Sequence, residues 1–205
     1  MLQISDHAAM ASATAQLCGI EPKFLAIFQK HGVPSLRAAP QGLEGLLMII
    51  TEQFLSLQAA HTIWQRLHER LKPFSSEKVL ACPISELKIL GLSTTKAKAF
   101  HAACKSDFQF DNLSEAEVSE KLQAIHGVGP WTADIYLLSV LGASDAWPSG
   151  DLALRIVIQD LFGLSQRPQI SEMVTLAENW RPLRAVAARL LWAHYRDLRG
   201  IQQAS

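Results

Sequence analysis

Apolar residues recur at helical spacing from one end of this chain to the other, and alternating β-branched runs bounded by turn residues are scarce. That periodicity points to an all-α fold. Helices are predicted over Asp6–Cys18, Pro22–His31, Leu43–Phe54, Ser56–Leu71, Ile84–Leu90, Thr95–Cys104, Glu115–Ala124, Trp131–Leu141, Asp151–Leu161, Ser171–Asn179 and Leu183–Leu198. Turn chemistry separates them at Gly32-Val33-Pro34, Pro40-Gln41-Gly42, Gly91-Leu92-Ser93, Pro148-Ser149-Gly150 and Arg181-Pro182. The tightest break is Gly127-Val128-Gly129-Pro130, which interrupts an apolar helical region with two glycines and a proline in four residues.

With 205 residues, 49% of them apolar, the chain can bury a sizeable core. A single domain over residues 1–205 is expected, built as two interlocked helical lobes, because no flexible linker, internal repeat or low-complexity tract divides the sequence. No additional N-terminal β domain is expected. Formal net charge is zero, which excludes a strongly basic domain, so any polyanion must be held locally. Charge is uneven all the same. Arg66, Arg70, Lys72, Lys78, Lys88, Lys96, Lys98 and Lys105 share one stretch, while acids gather from Asp107 to Glu120. A basic face and scattered solvated lysines are equally good readings of it.

Cys18, Cys82 and Cys104 are odd in number and far apart, which suits neither a disulfide framework nor a four-cysteine iron–sulfur cluster. His61, His68, His101 and His194 fall on different predicted helices, so no metal site is expected. The start "MLQISDHAAM" lacks a basic region followed by an apolar core, and "LEGLLMIITEQF" is broken by Glu52 before membrane-spanning length. No membrane association and a cytoplasmic location are the expectation.

Pro130 suits the first position of a new helix, where its missing N–H costs nothing. Without Cβ atoms at Gly127 and Gly129, the N–H groups of the turn and of the helix that follows can converge on an anion, aided by the helix dipole. A DNA phosphate fits such a cradle, since amide contacts position a duplex without demanding net positive charge. A plain turn between helices accounts for the same residues.

At this point the sequence resembles the helix-hairpin-helix glycosylases of base-excision repair, whose hallmark is a Gly-Val-Gly hairpin followed by a Gly/Pro-rich loop and an aspartate. Here the hairpin region spans about 115–142, the loop is "WPSGD" and the aspartate is Asp151. The helix after the hairpin rises about 16 Å, and the eight residues 143–150 can reach back roughly 26 Å, so Asp151 can return to the hairpin's end. "SGDLALRIVIQDLFG" reads as a helix starting at this aspartate, where the dipole favours a negative charge. The resemblance makes Asp151 the catalytic carboxylate that stabilises an oxocarbenium-like sugar or orients the attacking water. Helix capping is the alternative reading of the same residue.

Family members that also cut the strand carry a lysine where this chain has Trp131, which implies a monofunctional enzyme using water. A tryptophan there is similar to the alkylpurine branch, the 3-methyladenine DNA glycosylase II enzymes, whose aromatic walls attract cationic bases such as 3-methyladenine and 7-methylguanine. Three further segments fit this branch. "IITEQFLSLQAA" resembles its I-x-x-Q-Q-[VIL]-S junction, placing Gln53 and Ser56 at the DNA and Phe54 as a wedge for the gap left by a flipped nucleotide. "LGLSTTKAKAFHAAC" resembles L-G-[LI]-S-x-x-K-A and contributes Lys96 to DNA binding. "WRPLRAVAARLLW" resembles the W-x-P-x-R ending, with Trp192 closing the base pocket and Trp180, Pro182 and Arg184 fixing the last helix.

The resemblance thus implies a monomeric glycosylase acting on double-stranded DNA with alkylated bases. Asp151 is its catalytic residue, Trp131, Trp192 and Ile135 line the base pocket, and Gly127, Val128 and Gly129 hold DNA. No cofactor is required; a monovalent cation on the hairpin carbonyls is left open. His126 and Ile135 depart from residues common in the branch, which leaves the preferred base unspecified. The rival readings are a non-catalytic helix-hairpin-helix module for distorted or abasic DNA, a glycosylase-lyase, and a helical interaction scaffold.

Overall fold

The computed structural model describes residues 3–36 and 39–200. Among these residues there are twelve α-helices and one short 3-10 helix, and the only β pairing is an isolated antiparallel bridge between Gln3 and Ala143. The helices are α1 (His7–Ile20), α2 (Lys23–His31), α3 (Gly42–Glu52), α4 (Leu57–Leu71), α5 (Ser76–Ala81), α6 (Ile84–Ile89), α7 (Thr94–Ala103), α8 (Glu115–Gln123), α9 (Pro130–Ser139), α10 (Leu152–Leu161), α11 (Ile170–Ala177) and α12 (Arg184–Leu198), with η1 at Glu178–Trp180. The fold is all-α.

Side-chain oxygens start many of these helices by accepting the orphan N–H groups of the first turn. Asp6, Ser56, Ser75, Ser93 and Asp151 do so for α1, α4, α5, α7 and α10, and Ser114 with Glu117 forms a capping box on α8. Two expectations need correction. Ser76–Ala81 folds as a helix that periodicity does not reveal, because six residues give too short a window; the Ser75 cap and the buried Val79 anchor it. Phe54 lies outside α3, in the left-handed region at φ 56°, so the helix stops before it.

The chain divides into two compact units, one made of Met1–Arg37 with Gly142–Ser205 and the other of Ala38–Leu141. In the discontinuous unit α12 packs on α10, α2 and α1, and Trp180 is the centre of an aromatic cluster. Phe24 and Trp147 meet its ring edge-on at centroid distances of 5.1 and 5.5 Å, and the Trp147 indole donates to the Met173 carbonyl at 3.1 Å. Arg184, at the start of α12, donates to both carboxylate oxygens of Asp145 at 2.8 and 2.9 Å, and Arg181 joins them. These contacts hold the loop before Asp151 and the first turn of α12 in one frame.

In the continuous unit α3 is the central element, packing on α4, α7 and α9, while α8 packs on α9. Leu46, Leu47, Ile49 and Ile50 of α3 are all fully buried. So hydrophobic a run reads as nearly continuous in sequence because α3 has neighbours on most of its surface, leaving Glu44, Met48 and Glu52 partly exposed along one stripe.

Candidate active site

The hairpin between α8 and α9 sits in the continuous unit. Its turn closes when Val128 N–H donates to the Ile125 carbonyl at 3.0 Å, and Val128 is buried beneath it. The two glycines differ. Gly127 has φ 87°, and a Cβ there would lie 2.5 Å from the Cβ of Ala99 on α7, so both backbone conformation and space exclude a side chain. Gly129 has φ −104° and open space around the position of a Cβ. Its requirement for glycine is not internal to the fold. Pro130 takes the first position of α9, as expected, and the first N–H groups of that helix have no intrahelical acceptor.

Gln53 ties the junction after α3 to this hairpin. Its side-chain amide donates to the Gly127 carbonyl at 3.1 Å and to Thr132 Oγ1 at 2.8 Å. Thr132, buried at the start of α9, is a site-forming residue that no sequence motif singled out. Lys96 has an internal role: its ammonium donates to the Thr51 and Gln53 carbonyls at 2.8 and 2.6 Å, satisfying the C-terminal end of α3. Burial pushes its pKa down. Ser56 likewise uses its hydroxyl to cap α4, accepting from Ala59 N–H at 3.3 Å.

Phe54 projects from this junction with its side chain fully solvated, at 102% relative exposure, and Leu55 and Leu57 beside it are also exposed. A phenylalanine in the left-handed region with no packing partner is costly on both counts. Nothing in the fold repays that cost. Phe54 is therefore not a core residue. Farther along α9, Trp131 is half-buried and Ile135 is 7% exposed, within the apolar interior.

In the discontinuous unit, Asp151 is the N-cap of α10. One carboxylate oxygen, Oδ1, accepts from Leu154 N–H at 3.0 Å and from the Trp192 indole at 3.2 Å, so α10 and α12 together fix its orientation. The carboxylate is half-buried. Trp192, expected as a pocket wall, is thus also the hydrogen-bond donor to the expected catalytic group. Capping and chemistry are compatible here, because both use the carboxylate as an acceptor and the cap bond engages Oδ1.

The same unit brings together residues outside any motif. One ring nitrogen of His31, one of His194 and a carboxylate oxygen of Asp197 lie within 4.8 Å of one another, the one such group found among the described residues. No sequence pattern singles out His31; α2 packing on α12 is what sets it beside His194. The three cysteines are free.

The chain is similar to known proteins over most of its length. The model of the HhH-GPD superfamily of base excision DNA repair proteins matches residues 47–182, which include the hairpin and Asp151. Among curated relatives, the chain is 28% identical over 194 residues to the alkylbase DNA glycosidase-like protein mag2 of Schizosaccharomyces pombe, covering 88% of this chain and 91% of that one. It is 27% identical over 160 residues to DNA-3-methyladenine glycosylase 1 of the same organism, covering 73% and 70%. Among solved structures, the Schizosaccharomyces pombe 3-methyladenine DNA glycosylase (Mag1) in complex with abasic DNA superposes with a TM-score of 0.81 at 20% identity, covering 94% of this chain and 100% of that one. The 3-methyladenine DNA glycosylase of Archaeoglobus fulgidus gives 0.80 at 18%, covering 95% and 71%. With the match extending over well over half its length, this chain belongs to the HhH-GPD superfamily of base excision DNA repair proteins.

Proposed function

We propose that the protein is a monofunctional DNA glycosylase that flips alkylated purines such as 3-methyladenine and 7-methylguanine out of double-stranded DNA and hydrolyses their N-glycosidic bond. The observation that carries this reading is the Asp151 carboxylate, half-buried at the N-terminus of α10 with one oxygen clamped by Leu154 N–H and Trp192 Nε1. A fixed anion of this kind stabilises the sugar cation that develops as the base departs. Relatives named as alkylbase and 3-methyladenine glycosylases support the substrate class.

In this scheme the amides of Gly127 and Gly129 and of the first turn of α9 hold a DNA phosphate, while Val128 N–H keeps the turn closed on the Ile125 carbonyl. Phe54 fills the space the nucleotide vacates, which accounts for an apolar ring kept in solvent. Trp131, Trp192 and Ile135 are the residues assigned to the base pocket, the indoles to attract an electron-poor base. Gln53, Lys96 and Ser56 support the DNA-facing junction through the backbone they hold. The absence of a lysine at position 131 favours water over a protein amine as the nucleophile. No cofactor enters the reaction. None of the described helices is long and apolar enough to cross a membrane. We infer a cytoplasmic monomer.

The test is Asp151→Asn, which keeps the cap and removes the charge. Release of 3-methyladenine from methylated DNA is expected to fall by about 100- to 1000-fold, while affinity for the same DNA is retained. Base release at the wild-type rate would refute the assignment.

A further inference from the structure

We propose that His31, His194 and Asp197 form a binding site for a divalent transition-metal ion, zinc first among them, which clips α2 to α12. His31 is the last residue of α2, where Gly32 at φ 71° turns the chain away. His194 and Asp197 stand three residues apart on α12 and so share a face. The two imidazoles meet edge to face, with centroids 6.0 Å apart.

Two ring atoms at this place are buried with no hydrogen-bond partner, His31 Nε2 and His194 Nδ1. Each such atom costs about 1–3 kcal/mol, and two side by side in one packed interface need an explanation. An ion that accepts both lone pairs supplies it. The opposite nitrogen of His194, Nε2, stands 3.9 Å from Asp160 Oδ2. Asp160 thus lies on the opposite side of the ring from Nδ1, the place where a carboxylate supports a metal-bound histidine once it closes to hydrogen-bond distance.

The donor set selects the ion. Two imidazoles and one carboxylate suit zinc and its neighbours, whereas magnesium and calcium require mainly oxygen ligands. Zinc holds nitrogen and oxygen donors at about 2.0–2.2 Å, which puts two donors on one ion about 3.3 Å apart. The three ligand atoms already lie within 4.8 Å of one another, and Asp197, at the surface, has room to rotate toward the two imidazoles. Lys30 pairs with Asp197 Oδ2, and the other carboxylate oxygen is the natural ligand. With three protein donors, water completes a tetrahedron. The site lies two residues from Trp192, so the ion would stiffen the helix that orients Asp151.

The experiment uses the full chain, free of any affinity tag and stripped with a chelator, titrated calorimetrically with zinc chloride. One equivalent is expected to bind and to raise the thermal unfolding midpoint. Cobalt(II) in its place should give a visible ligand-field band without the thiolate charge-transfer band that the free cysteines would produce. His31→Ala and His194→Ala are each expected to weaken zinc binding by more than about 100-fold, and Asp197→Asn by about 10-fold. Should the alanine variants fail to fold, the surface variant Asp197→Asn carries the test. Failure of the wild-type chain to take up an equivalent overturns the proposal, as does equal affinity in the wild type and the folded variants.

Discussion

Trp192 does two things with one ring: its indole N–H holds Asp151 Oδ1 at 3.2 Å, and its face belongs to the proposed base pocket. Trp192→Phe separates them, keeping an aromatic surface and deleting the donor. A hydrogen bond to a charged group contributes about 1.5–3 kcal/mol, so single-turnover base release should slow by roughly 10- to 100-fold with DNA affinity nearly unchanged. Equal loss of affinity and rate would mean that the ring contributes only stacking. Asp151 and Trp192 were both legible in sequence as site residues, through motifs that mark residue type. Their bond was not, since 41 positions separate them and no periodicity encodes such a pairing. The same limit applies to Lys96, whose ammonium reaches two carbonyls more than forty residues away. A lysine in a basic stretch looks available to DNA until its partners are seen.

At the level of elements, the hairpin was readable because glycine and proline act locally on backbone conformation. What sequence could not divide is the work of its two glycines. Gly127→Ala forces a side chain onto φ 87° and into Ala99, and should destabilise the protein by about 2 kcal/mol or more in urea unfolding. Gly129→Ala meets open space at an ordinary φ, so its unfolding midpoint should stay within about 0.5 kcal/mol of the wild type. If Gly129 admits a phosphate, the same variant should bind DNA measurably more weakly in fluorescence anisotropy at fixed salt. Unchanged DNA affinity would remove the phosphate from that position. Most helices were legible to within a residue or two. Helix α5 escaped because a turn and a half has no period to detect, and Phe54 was counted into α3 because an apolar residue after an apolar run gives no sign of a left-handed backbone.

At the level of the whole molecule, two buried groups, Cys104 and Tyr136, make stability depend on alkaline pH. Burial pushes the Cys104 thiol up to about 11, with Glu77 adding to it, and the Tyr136 phenol up to about 12. In the unfolded chain these groups ionise near their ordinary values of 9 and 10. Above about pH 9 the unfolded state therefore binds fewer protons than the folded state, and stability falls with rising pH. Urea midpoints should drop steadily between about pH 9 and 11, and Cys104→Ala should flatten that slope. An unaltered slope in the variant would assign alkaline sensitivity elsewhere.

The contact between Gly127 and Ala99 has a consequence for how such a chain can change. The two positions share one small volume, so neither can grow by itself, and enlarging the helix residue would push the bend outward as surely as adding a methyl to the glycine. Randomising both codons together and selecting for repair should return paired solutions, in which permitted residues at one site depend on the occupant of the other.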